Sequence, residues 1–205
     1  RKGLVMPTAS RAKHKFCRRI GQCLWGDPKC PSVKRPYAAG PHGKGRRAKL
    51  STYGELLMEK QKLRNYYAIS EKQLRIAFTK AKSGEGQTHE KLFRSLEQRL
   101  DAMVYRAGFA PTIFAAKQLV NHGHVLVDGK RVDRSSCLVK EGQVISINAE
   151  KSPKLAEVAK KNNTTAPAYM EVDLDNLKAT LVRAPQVEEI PVAVKIMSVI
   201  EYYAR

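Results

Sequence analysis

Residues 97–147 read EQRLDAMVYRAGFAPTIFAAKQLVNHGHVLVDGKRVDRSSCLVKEGQVISI, and two hydrophobic periods follow one another within them. Leu96, Leu100, Met103 and Val104 recur at helical spacing, and Gly108 supplies a stop. A second helix is expected to open near Thr112, to bury Ala116, Leu119 and Val120, and to end at Gly123. The period then drops to two. Val125 and Val127 share a face, Asp128-Gly129 makes a hairpin turn, and Val132 lies on the return. The polar side chains are left for the outside: Arg99, Arg106, Lys117, Gln118, Asn121, His122, His124, Lys130 and Arg131. Arg99 and Arg106, seven apart, share a helix face, as do Lys117 with Asn121 and Gln118 with His122. Two short helices feeding a small β structure with one basic face predict a compact nucleic-acid-binding module. A solvated charged face is the competing reading, since acids are interspersed.

Upstream, residues 51–95 carry helical patterning. Thr52 with Glu55 forms the expected capping box of a helix whose apolar stripe is Leu56, Leu57 and Leu63 and whose basic face is Lys60, Lys62 and Arg64. Ser70 with Gln73 caps a second helix carrying Leu74, Ile76, Ala77, Phe78 and Ala81. After the turn Ser83-Gly84-Glu85-Gly86, Thr88 is the expected cap of a third helix. Its stripe of Leu92, Leu96, Leu100 and Val104 runs straight into the opening stretch. Downstream, a short helix is expected around Leu155–Ala159. Extended segments follow at Tyr169, Val172, Leu174 and Leu181, with a turn at Asp175-Asn176. The tail IPVAVKIMSVIEYYAR is too apolar to stay exposed. It is expected to form a helix within Val192–Tyr203 docked on the 51–95 helices.

Residues 1–50 show little periodicity. Arg11, Lys13, Lys15, Arg18 and Arg19 precede Lys34-Arg35-Pro36-Tyr37 and Gly40-Pro41-His42-Gly43-Lys44-Gly45-Arg46-Arg47, with Lys49 beyond. Such a segment buries little apolar surface. Its charge and Tyr37 fit an arm ordered on RNA better than a solubilising extension. Cys17, Cys23 and Cys30 lie within it, separated by five and then six residues. That is looser than a zinc knuckle, and His14 or His42 would have to supply a fourth ligand. Zinc and three unliganded thiols both remain open, and no cofactor is required. Cys137 reads as a small buried hydrophobe.

The chain has 205 residues, with 38 Lys and Arg against 19 Asp and Glu, for a formal net charge of +19. Residues 1–64 hold 17 of those cations and only 3 acids, so a polyanion should touch the first third most heavily. No apolar run approaches a membrane span, and residues 1–30 do not read as a secretory signal. The acids form no catalytic group, and His122-Gly-His124 is the only close histidine pair. No P-loop, dinucleotide fingerprint or nucleophile elbow occurs, and no small-molecule substrate is expected.

RLDAMVYRAGFA from Arg99 and AAKQLVNHGHVLVDGKRV from Ala115 resemble the S-four RNA-binding module. KRPYAAGPHGKGRRAKLSTYGELLMEKQKLRNYYAISEKQLR from Lys34, and the ending IEYYAR, are similar to the bacterial-type small-subunit ribosomal protein S-four family. The beginning, RKGLVMPTAS, differs from that family's short start. The resemblance implies a structural protein that binds the 5′ domain of small-subunit rRNA at a multi-helix junction during assembly. It implies ribosomal proteins S-five and S-three as neighbours, a place near the channel through which mRNA enters, and a role in decoding fidelity. It implies the cytoplasm, an organelle ribosome being the alternative. Some members carry four zinc-binding cysteines near the amino end. Here Cys30 matches the last of these, and Trp25 stands where the preceding ligand is expected. An RNA-modifying enzyme and a free RNA chaperone or translational regulator are the competing functions. The expected fold is α+β: a basic extension over 1–50, a helical body of 51–95 plus 170–205 closed by the tail, and an inserted αα-β module over 96–165.

Overall fold

The computed structural model describes residues 14–45, 49–148, 157 and 166–204. The opening RKGLVMPTAS, Arg46, Arg47 and, apart from Glu157, the helix expected around Leu155–Ala159 lie outside the described residues. Two compact units are built from the chain: residues 1–74 with 192–205, and residues 75–191.

In the first unit, α1 (His14–Ile20) and α2 (Pro31–Lys34) precede α3 (Thr52–Tyr66). Ser51, not Thr52, caps α3, its hydroxyl accepting from the Gly54 amide at 3.2 Å. Leu56, Leu63, Tyr66 and Tyr67 are buried, the two tyrosine rings edge-on at 5.1 Å. The apolar tail forms α8 (Ile196–Ala204) and packs on α3. Its dock is polar as well. The Lys195 amide donates to Glu59 at 2.9 Å, and the Tyr203 hydroxyl donates to Glu71 at 2.8 Å. Helix α4 (Glu71–Ser83) opens on a reciprocal box. The Ser70 hydroxyl accepts from the Gln73 amide, and the Gln73 side chain accepts from the Ser70 amide, both at 3.3 Å.

In the second unit, the stripe read as one helix is two, α5 (Thr88–Glu97) and α6 (Leu100–Arg106). Residue Gln87 rather than Thr88 precedes α5. The break at Gln98-Arg99 follows from strand-like pairing. The Val139 amide donates to Gln98 O and the Leu100 amide to Cys137 O, both at 2.8 Å. Thr112 caps α7 (Ile113–Asn121) through the Ala115 amide at 3.1 Å. Positive φ at Gly108 and Gly123 closes α6 and α7.

Strands β1 (Val125–Val127), β2 (Lys130–Arg131), β3 (Val144–Ile147), β4 (Met170–Asp173) and β5 (Lys178–Leu181) form one antiparallel sheet, ordered β2-β1-β3-β5-β4. Val125 pairs with Ile147 and Val127 with Ile145, so alternate residues point into the core. That core joins Leu100, Met103 and Val104 of α6 to Ala116 and Val120 of α7 and to Val125, Ile145, Ala179 and Leu181 of the sheet. Each fully buried Leu, Met or Val stabilises the unit by about 1.5–3 kcal/mol. The domain boundary therefore moves. Residues 170–181, expected in the helical body, complete the sheet of the module. Val144 pairs with Thr180 and Ile145 with Ala179, contacts too distant in sequence for periodicity to show.

Candidate nucleic-acid interface

In the first unit the basic arm is shaped around Tyr37. Arg18 donates from Nε to Tyr37 O at 3.1 Å and from Nη2 to Ala38 O at 3.2 Å. Its guanidinium and the Lys44 ammonium sit 5.1 and 5.6 Å from the Tyr37 ring centre. Gly43 lets the loop close on itself, since a Cβ there would lie 1.9 Å from Ala38 O. Around this loop Arg19, Lys34, Arg35, His42, Lys44 and Lys49 are exposed. They are cations or donors around a loop that Arg18 and Gly43 hold closed.

In the second unit the interface gathers where α7 meets β1. Gln118, His122, Lys130 and Arg131 are exposed, and Asn121 and His124 half-buried. The His122 and His124 rings lie 6.1 Å apart, tilted by 30°. Between them Gly123 has φ +73, and a Cβ there would fall 2.1 Å from Arg131 Nε. The Arg131 guanidinium thus lies against the bare Gly123 backbone. Lys117 is half-buried. Burial pulls its amine below the ordinary lysine value, Asp101 opposing that pull and Arg99 adding to it. The turn that presents Lys130 is held by Asp128, at φ +49, whose carboxylate accepts from the Val144 amide at 2.9 Å and the Gln143 side chain at 2.8 Å. Exposed Arg134 and Lys140 follow in the connection to β3. No period organises residues 133–143, so the sequence alone does not single them out.

Four expected contact residues are engaged by acids of the chain itself, three of them buried. Arg99 and Arg106 are only 6% and 8% exposed. Arg99 binds Asp101 through Nε at 3.0 Å and Nη2 at 2.7 Å; Arg106 binds Glu97 through Nε at 3.1 Å and Nη2 at 2.6 Å. Arg99 precedes α6 and Arg106 ends it, so a shared helix face does not apply. Lys60 is buried against Glu71 at 2.7 Å, with the Tyr202 ring centre 4.5 Å from its ammonium. Lys62 holds Glu59 at 2.5 Å. Burial raises the Glu71 carboxyl, but the hydrogen bonds from Lys60 and Tyr203 outweigh it and leave that carboxyl below its ordinary range. Arg64 stands 4.0 Å from the same carboxylate. The structure thus places Arg99, Arg106 and Lys60 in internal ion pairs, since buried charge is retained only where it is paired, and Lys62 and Arg64 in half-buried ones.

The cysteines of the arm converge. The ligand atoms of His14, Cys17, Cys23 and Cys30 all lie within 4.8 Å of one another. His14 and Cys17 are three apart on α1, and Cys30 precedes α2. Cys30 Sγ is 3.1 Å from His14 Nδ1 and 3.1 Å from the Ser32 hydroxyl. Burial pushes the Cys17 thiol up to about 12, with Cys30 and Cys23 adding to the rise. Burial also raises Cys30, but hydrogen bonds from Ser32 outweigh it and the thiol is held low. Zinc–sulfur bonds of about 2.3 Å in a tetrahedron put ligand atoms about 3.8 Å apart, a spacing this cluster accommodates. Cys23 fills the place assigned to position 25. Trp25 instead donates to Tyr66 O at 3.2 Å, tying the arm to α3, and meets the His14 ring edge-on at 5.9 Å. His42 is not part of the cluster.

Residues 9–97 match the family described as Ribosomal protein S4/S9 N-terminal domain, and residues 98–145 match the S4 domain. The small ribosomal subunit protein uS4 of Ruegeria pomeroyi is 47% identical over 206 residues, covering 98% of this chain and 100% of the relative. That of Paracoccus denitrificans is 46% identical with the same coverage. That of Phenylobacterium zucineum is 47% identical over 199 residues, covering 94% of this chain and 97% of the relative.

Proposed function

From the premise that the chain belongs to the bacterial-type small ribosomal subunit protein uS4 family, we propose that it is a structural rRNA-binding component of the small ribosomal subunit and not an enzyme. Identity of 46–47% along nearly the whole of both chains carries the reading. A shared RNA-binding module alone would leave room for a modifying enzyme. No helix among the described residues is long and apolar enough to cross a membrane. Binding is by phosphate neutralisation and shape. The arm supplies Arg19, Lys34, Arg35, Lys44 and Lys49, and Arg46 and Arg47 lie between the last two in sequence. The α7–β1 turn supplies Gln118, Asn121, His122, His124, Lys130 and Arg131, where imidazoles stack or donate to phosphate.

The finer assignment follows the family. The chain holds a multi-helix junction of the 5′ domain during assembly. It lies beside S-five and S-three near the channel through which mRNA enters, and supports decoding fidelity in cytoplasmic ribosomes. His14, Cys17, Cys23 and Cys30 would hold zinc, which supplies a structural cross-link for the arm and takes no part in chemistry.

Six to ten phosphate contacts predict that affinity for a small-subunit rRNA transcript falls by about 10³–10⁵ between about 50 and about 200 mM salt. Affinity that barely changes over that range would exclude phosphate-dominated binding.

A further inference from the structure

The three cysteines of the arm are unequal in ways that metal binding alone does not require. Cys17 and Cys30 are 0% and 1% exposed, whereas Cys23 is half-buried. Cys17 is fixed within α1, while Cys23 lies in the loop between α1 and α2, bracketed by Gly21 and Gly26 at positive φ. A turn then brings the chain back. The Lys29 amide donates to Asp27 Oδ1 at 2.8 Å and the Cys30 amide to Asp27 O at 3.0 Å. Cys30 Sγ comes within 4.8 Å of the Cys23 sulfur, and both are free thiols. We propose that Cys23 and Cys30 form a peroxide-sensitive dithiol, in which Cys23 takes the oxidant and Cys30 resolves it as a disulfide. The inference rests on the proposed zinc site for the release of metal; the dithiol chemistry stands on the two sulfurs alone.

A peroxide reacts first with the sulfur it can reach, so exposure selects Cys23. The Cys23 sulfur attacks one peroxide oxygen. An S–O bond forms, the O–O bond breaks, and the departing hydroxide leaves as water with the thiol proton, so that Cys23 becomes a sulfenic acid. The Cys30 sulfur then attacks the Cys23 sulfur. An S–S bond forms, the S–O bond breaks, and a second water leaves with the Cys30 proton. Two thiols lose two electrons, and one peroxide becomes two waters. A disulfide needs its sulfurs about 2.05 Å apart. The loop can close that gap, because neither Cys23 nor Cys30 lies within a helix or strand. Cys17 is a poorer resolving thiol, since it sits in the middle of α1 and the helix holds its backbone. The disulfide removes two of the four candidate donors and leaves only His14 and Cys17, too few for a structural site. Trp25, two residues beyond Cys23, donates to Tyr66 O, so the oxidised loop also pulls on the link between the arm and α3.

The test exposes the full zinc-loaded chain to a small molar excess of hydrogen peroxide. It carries Cys137→Ala, which removes the half-buried thiol of the other unit so that only arm thiols react. Dimedone traps the first sulfenic acid, alkylation and peptide mass map the disulfide, and a chelating dye reads the zinc set free. The expected result is a dimedone label on Cys23 and, without dimedone, a Cys23–Cys30 disulfide with Cys17 still a thiol. About one zinc should be released per disulfide, as a single four-ligand site requires, and dithiothreitol with added zinc should restore the starting state. Zinc retained with all three arm thiols intact overturns the dithiol and leaves the zinc site standing. A first label on Cys17 or Cys30, or a disulfide that includes Cys17, also overturns it. A chain that takes up no zinc yet forms the Cys23–Cys30 disulfide overturns the zinc site and leaves the dithiol. A chain that does neither overturns both.

Discussion

Replacing Arg106 with alanine is expected to destabilise the sheet-bearing unit by about 3–5 kcal/mol, because it strands a buried charge. Glu97 is fully buried, and Arg106 grips both of its oxygens. The Tyr169 hydroxyl donates to the same carboxylate at 3.5 Å, and burial followed by the Glu97 charge pushes that phenol well above its ordinary value. With the guanidinium gone, the carboxylate has neither water nor its counter-ion. Arg106→Met combined with Glu97→Leu should recover much of the loss, since a buried pair exchanged for apolar volume is often close to neutral. The remaining deficit belongs to Tyr169, which then lacks its acceptor, at about 1–3 kcal/mol. Urea unfolding measures this as a fall in midpoint at unchanged slope. The salt dependence of rRNA binding should not change in Arg106→Ala below its melting temperature. A stability loss under about 1 kcal/mol, with a salt slope shallower by about 1, would return Arg106 to the RNA face.

The proposed zinc site at His14, Cys17, Cys23 and Cys30 predicts the other large effect. The purified chain should carry about one zinc ion, as expected for a single four-ligand structural site. Stripping it with a chelator, or replacing Cys17 with serine, should loosen the arm over residues 14–45. It should also weaken rRNA binding while leaving the sheet-bearing unit folded. Small zinc modules draw about 10–16 kcal/mol of apparent binding energy from the metal, so its loss should be the largest single change to the arm. Among the described residues, the contacts left to it include Trp25 on Tyr66 O and Arg18 on the Tyr37 and Ala38 carbonyls. Zinc-free protein with Cys17 and Cys30 freely alkylated, and an arm as protease-resistant as before, would show instead that packing alone orders it.

Much of the module was legible because its periods are local. The caps at Ser70 and Thr112, the stop at Gly123, the Asp128-Gly129 turn and the shift from period 3.6 to 2 each depend on a few neighbouring residues. The tail was legible from composition, since IPVAVKIMSVIEYYAR has to be covered. What escaped was long-range or hidden by phase. Leu92, Leu96, Leu100 and Val104 stay in step across Gln98-Arg99, so the stripe could not show that residues 137–139 break the helix there. Strands β4 and β5 join β3 across a long connection, and this moved the domain boundary. Charge was read as exposure, which failed for Arg99, Arg106, Lys60 and Lys62. Each has a matching acid, at Asp101, Glu97, Glu71 and Glu59, but only the 59–62 pair stands at a helical spacing that advertises it. Linear spacing also made the cysteines look like a poor site. The useful signal was His14 and Cys17 three apart on one helix, which brings two ligands together before the loop returns Cys23 and Cys30.

Co-sedimentation decides most directly where the chain resides. Small ribosomal subunits carrying a tagged copy are washed at rising salt and pelleted, and the tag is quantified against rRNA. A structural rRNA-binding component remains in the pellet at about one copy per subunit through washes that strip loosely held factors, because in the folded subunit shape-selective contacts add to the phosphate contacts that salt weakens on a free transcript. A chain that leaves the pellet in moderate salt, while rRNA and the other subunit proteins remain, is a free factor, and that result would contradict the assignment.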